Sequence, residues 1–205
     1  MIRITLLFFL VFCLVLKGLF PLTTEASSSE VKENIEKLKA TNECYGCNLF
    51  YADLRMASLS GADLNGANLF GATLINANLN NAKLAHTYMY NADLSGAGLE
   101  HADLTYANLD SACLVNANLK DAVLVYTDLR NADLSGAVLM NADLSNSNLN
   151  GADMSGTTLD GANLQNAQVK GAFFLGVKGL TQKQVEDLKI RDAIVETVDI
   201  KIEGF

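Results

Sequence analysis

The chain has 205 residues, half of them hydrophobic but only 7% aromatic and none Trp, and its formal net charge is −8. That length supports one domain with a sizeable core, built mainly from Leu and Ala because few other apolar residues are present. The negative balance excludes binding to nucleic acid or anionic membranes through a basic patch.

The first segment, residues 1–26, reads as a signal peptide. Arg3 supplies a positive charge, and Ile4–Leu16 is an apolar run of thirteen residues ended by Lys17, too short for an ordinary membrane span. Cleavage after Ala26 would place Thr24 and Ala26 at the two small-residue positions of such a site. The expected mature chain is exported and has no membrane contact; an uncleaved anchor is the alternative.

Residues 27–46 read as a linker and an N-terminal cap helix. "SEVKENIEKLKATN" sets Val31, Ile35 and Leu38 on one stripe, with Ser29 as the N-cap and Glu30 and Glu33 in the first turn.

Residues 47–175 then repeat every five positions. Centres run unbroken from Leu49 to Phe174, 26 in all, and 22 of them are Leu. Two residues before each centre stands Ala in 21 units and Cys, Thr or Ser in the rest. Period five suits neither a helix, whose successive Leu residues would scatter around the axis, nor a flat strand, where they would alternate faces. Each unit must therefore end in a corner. Gly61, Gly66, Gly71, Asn76 and Asn81 hold the second position after the centre, and these residue types suit turns with positive φ. The pattern predicts a coil with Leu and a small residue inward, three positions outward, and stacking by backbone hydrogen bonds. The lone Pro21 lies outside it.

The stretches "ADLSGA", "GADLNGANL" and "NADLSN" closely resemble the pentapeptide-repeat proteins. The resemblance implies an all-β solenoid, a right-handed quadrilateral β-helix with four units per coil. It implies about 6.5 coils, or roughly 31 Å at the ~4.8 Å spacing of adjacent strands. A solenoid needs closed ends, and residues 176–205 supply the second cap. There Thr181 and Gln184 have capping-box spacing, Val185 and Leu188 form an inward stripe, and residues 193–205 form a short apolar flap and tail. The terminal helices and the opening "T-x-x-C-x-x-C-x-L", from Thr41 to Leu49, resemble those of cyanobacterial and thylakoid-lumen members.

Cys44 and Cys47 are the candidate chemistry. In an exported protein a close pair reads as a structural disulfide, here between the cap helix and the first coil. Reduced thiols and a redox site are the alternatives, although redox catalysis wants the first thiol at a helix N-terminus and this pair follows a helix. His86 and His101 are distant in sequence from both Cys, so no metal is expected, and no motif requires a cofactor or a small-molecule substrate. Carboxylates such as Asp53, Asp93 and Asp133 occupy a solvent-facing position and read as solvating residues.

Four units per coil place residues twenty apart above one another. Phe50, Phe70 and Tyr90 then form one outward column, His86, Tyr106 and Tyr126 another at the neighbouring corner, and Tyr88 lies between them. Such an aromatic strip suits protein recognition; stabilisation of neighbouring coils is the rival explanation. The expected function is therefore a non-catalytic scaffold in the periplasm or thylakoid lumen that binds a protein partner, not nucleic acid. A passive structural role is the first alternative. Some cytoplasmic members of the family bind DNA gyrase as rods of negative charge. This repeat carries 12 acidic and 5 basic residues, with Asn and Ser where a dense mimic would be acidic.

Overall fold

The computed structural model describes residues 24–196. The expected signal peptide falls almost wholly outside these residues, as does the tail from residue 197. Helix α1 spans Thr24–Thr41 and continues without a break through Ser29, the expected N-cap. Helix propensity favours this, since no Gly or Pro separates Glu25 and Ala26 from the following turn. Among the described residues no helix is long and apolar enough to cross a membrane.

From Glu43 onward, parallel bridges join residues twenty apart, beginning with Glu43↔Asp63 and ending with Thr158↔Lys178. Bridging thus starts one unit ahead of Leu49, and Cys44 holds the centre of that extra unit. The bonding repeats along the rod. Each centre from Cys44 to Leu159 donates to a carbonyl nineteen residues on, as Leu54 N to Thr73 O at 2.8 Å, and each corner from Gly46 to Gly156 does likewise, as Met56 N to Ile75 O at 2.9 Å. Within a unit, Ala57 N donates to Leu54 O at 3.1 Å and closes a β-turn. Its third residue, Met56, has φ +54°, and a positive φ at that position alone is the mark of a type II turn. Every fifth residue from Gly46 to Gly176 has positive φ. The expected corner is therefore present at every unit, including units where it holds Tyr, His or Met.

The inward positions are buried, and no centre from Leu49 to Phe174 is more than 6% exposed. Thr87, Thr127, Ser147 and Thr157 also point inward, and each hydroxyl donates to a backbone carbonyl at 2.7 to 2.8 Å. These substitutions leave no unpaired polar group in the core. Helix α1 packs Leu38, Val31 and Ile35 against the same core, and Asn34 Nδ2 donates to Asn48 O at 3.0 Å.

At the far end, strand β1 (Phe173–Phe174) is followed by helix α2 (Gln182–Ile190), whose Thr181 and Gln184 form the expected capping box. Leu188 is buried. The chain then returns as strand β2 (Ile194–Val195), parallel to β1, with Phe173 opposite Ile194. Asp192 precedes it with φ +61° and accepts from Gly171 N at 2.8 Å, and Ile194 N donates to Ala172 O at 2.8 Å. Residues 192–195 therefore rejoin the coil, with a corner and an inward Val195, rather than forming a flap. Arg191 covers part of the last edge by donating to Ala167 O at 2.8 Å.

Where Asp or Asn precedes a centre, it has a structural task the sequence did not disclose. Asp133 Oδ1 accepts from Ser135 N at 2.9 Å, and the same bond recurs at Asp93 (3.0 Å), Asp143 (2.9 Å) and Asp153 (2.9 Å). This side-chain acceptor holds the turn that follows. Asp133→Ala is expected to lower stability in urea by about 1 kcal/mol, and Leu134→Ala by about 2–5 kcal/mol. An Asp133→Ala chain as stable as the original would reduce these carboxylates to solvating groups.

Candidate interaction surface

Corner and face positions bring the expected aromatic residues into two ring groups. On one face Phe50 stacks on Phe70 at 5.1 Å between ring centroids, and Phe70 stacks on Tyr90 at 5.5 Å and on Tyr88 at 6.2 Å. At the adjoining corner His86 stacks on Tyr106 at 5.2 Å and Tyr106 on Tyr126 at 4.9 Å, with planes within 3° and 4° of parallel. The twenty-residue superposition produces both columns. Among the described residues no ring pair joins one group to the other; Tyr88 leans toward Phe70, while the corner rings pair within their own column.

Tyr51 belongs to the first group and was not singled out from the sequence. Its ring meets Phe50 edge-on at 4.3 Å and Phe70 at 5.5 Å. The signal was present, because residue 71, twenty positions on, is Gly. A Cβ at Gly71 would lie 2.3 Å from Tyr51 Cε1, so only Gly lets this ring cross above it. Tyr51, Tyr88, Tyr106 and Tyr126 are all at least 44% exposed.

The corner rings sit on unfavourable backbone. His86, Tyr106 and Tyr126 have φ of +58°, +59° and +58°, where bulky residues are rare. Asn or Gly fills most other corners. The sides flanking this column carry Asp63, paired with Lys83 at 3.5 Å, and Asp110 and Asp128, which Arg130 bridges at 3.1 and 2.7 Å. Elsewhere Arg55 hydrogen-bonds the Asp53 carboxylate and holds its pKa near 2.

The sulfurs of Cys44 and Cys47 lie 2.12 Å apart, with Cα atoms 5.2 Å apart. Both side chains point inward, and both are buried. Cys44 takes a Leu position of the repeat and Cys47 an Ala position. Tyr45, at the tip of the loop between them, is 77% exposed. Cys113 is half-buried, with its sulfur 3.1 Å from Ser95 Oγ. Among the described residues no group of three or more His, Cys, Asp or Glu is arranged to hold a metal ion.

The period of five, its left-handed corners and its twenty-residue superposition run the length of the rod, and a model of pentapeptide repeats matches eight copies between residues 43 and 174. The chain belongs to the pentapeptide-repeat family. Family members are right-handed quadrilateral β-helices, the architecture whose four-unit coils the bridges trace here.

Among solved structures, a pentapeptide-repeat protein of the Arabidopsis thaliana thylakoid lumen is 30% identical, over 66% of this chain and 81% of that one, with a TM-score of 0.37. HetL, a pentapeptide-repeat protein involved in heterocyst differentiation regulation in the cyanobacterium Nostoc sp. strain PCC 7120, is 28% identical over 70% and 79%, with a TM-score of 0.36. QnrB1, a plasmid-mediated fluoroquinolone resistance protein, is 22% identical over 75% and 89%, with a TM-score of 0.36. No curated protein matches the chain.

Thiol titration of a chain of residues 27–205, denatured without reductant, is expected to count one thiol, Cys113. A count of three would mean that Cys44 and Cys47 are reduced.

Proposed function

We propose that this protein is an exported, non-catalytic rod of about 6.5 coils, closed by α1 at one end and α2 at the other, that presents its aromatic face to a protein partner in the periplasm or thylakoid lumen. The observation that carries this reading is the placement of His86, Tyr106 and Tyr126 at left-handed corners. Backbone strain at bulky residues concentrates where a protein uses those residues. Exposed Tyr side chains, apolar in body and polar at the tip, are common in protein interfaces.

The Cys44–Cys47 pair staples the first turn of the coil, not the helix to the coil as the sequence suggested; α1 packs on that turn, with Asn34 O 3.5 Å from Cys44 Sγ. Burial of both sulfurs supports that role over thiol exchange, which needs an accessible sulfur. The passive structural role draws its support from the near-parallel ring stacks, which would also tie neighbouring coils together. Gyrase binding as a DNA mimic is less favoured, because the aromatic face and the paired charges around it do not reproduce a continuous acidic rod.

Residues 27–205 as bait in an extract of the exported compartment, beside a bait with Tyr88, Tyr90, Tyr106 and Tyr126 all changed to Ser, separate these readings. The proposal predicts a protein held by the first bait and lost by the second, with both baits folded and equally stable. Identical captures from the two baits would leave the rings a purely structural part.

A further inference from the structure

Side chains at the corners lean along the rod over the next coil. Tyr51 covers Gly71, and Asn76, Asn116, Asn131 and Asn141 place Oδ1 between 2.3 and 2.9 Å from where a Cβ would stand on Gly96, Gly136, Gly151 and Gly161. Each corner side chain thus roofs the corner twenty residues later. The ladder column reads Gly46, Gly66, His86, Tyr106, Tyr126, Asn146 and Asn166. Below Tyr126 the column is closed by Asn146, which accepts from Asn166 Nδ2 at 3.3 Å. Above His86 it is open. The side chain that would roof this ring belongs to residue 66, which is Gly and has none; Gly66 is itself uncovered, because residue 46 is also Gly and a Cβ built on Gly66 meets nothing within 4 Å. His86 therefore stacks on Tyr106 with one face and turns the other to a gap that neither Gly66 nor Gly46 fills. One coil is about 4.8 Å, close to the 4.9 and 5.2 Å between rings in the ladder.

We propose that this gap binds an aromatic side chain of the partner, entering beside Gly66 as a further rung on His86. The inference rests on the protein-recognition reading and specifies what that face accepts. Charge complementarity sets the rest of the partner's chemistry. Glu43, Asp63, Lys83 and Asp103 stack on the side leading into this corner, three carboxylates against one ammonium. The excess is negative, so the partner segment carries Lys or Arg beside its aromatic residue.

The probe is a short peptide, acetyl-Lys-Lys-Trp-Lys-Lys-amide, with a Leu-for-Trp peptide as its control. The protein contains no Trp, so Trp fluorescence reports the peptide alone. NMR of the protein expressed from the full-length chain follows the His86 ring protons and the Gly66 amide. The Trp peptide is expected to move both upfield and saturably, and the Leu peptide to leave them unmoved. Gly66→Asn tolerates φ +66° and fills the gap as Asn76 fills the space above Gly96. It is expected to weaken Trp-peptide binding about tenfold or more, as is Gly66→Tyr. Equal shifts from the two peptides, or unchanged binding by a folded Gly66→Asn chain, would overturn the site. If the site fails while the four-Tyr bait still loses its partner, the recognition face stands without this gap.

Discussion

The rest of the structure depends on one backbone constraint, a residue of positive φ at every fifth position. It closes each unit in a turn, turns the chain through one corner of the square, and brings the next Leu back to the axis. Four such corners return the chain to its starting side, where main-chain groups meet those twenty residues away. The core follows from this closure, because Leu and Ala are inward only while the corner resets direction. The surface follows too, since outward side chains are stacked in vertical columns and each is read against its neighbours twenty residues before and after. Where Asp or Asn precedes a centre, it secures the turn by accepting the amide two residues on. The repeat A-D/N-L-x-G/N is thus a set of backbone instructions in which only two positions serve the core.

Most of that was legible in the sequence. The unbroken series from Leu49 to Phe174 locates the core, and steps of twenty place Phe50 over Phe70 and His86 over Tyr106. What escaped detection depends on information that periodicity does not hold. Cys44 occupies a Leu position, but a Cys beside another Cys draws attention to its sulfur rather than to its phase. Tyr51 was overlooked because its partner is a Gly, and the pairing emerges only when the lean of corner side chains is known. Residues 192–195 rejoin the coil after α2 interrupts the register, so their offset from β1 is twenty-one residues and not a multiple of five. Asp133 and its equivalents looked like solvation because acceptance of a local amide leaves no mark on composition. Ser29 had the chemistry of an N-cap without being the end of its helix.

The aromatic corners are where energetics and function meet. Left-handed backbone costs a bulky residue about 1–2 kcal/mol, whereas Asn tolerates it more readily. A stacked aromatic pair returns about 0.5–1.5 kcal/mol. Two strained Tyr corners, joined with His86 by two stacks, therefore do not favour rings over Asn on stability grounds. Stability alone would have placed Asn at 106 and 126, as at 116, 131 and 141. Rings at these corners accord with the proposed recognition surface, on a rod whose shape is common to a whole family and therefore says little about its use.

The most direct test is the urea unfolding midpoint of a Tyr106→Asn, Tyr126→Asn double variant. If the rings serve recognition, the variant unfolds at the same urea concentration as the original chain or a higher one. A loss of more than about 2 kcal/mol, beyond what two stacked pairs are expected to supply over the strain they carry, would mean that the ladder exists to hold the coils together.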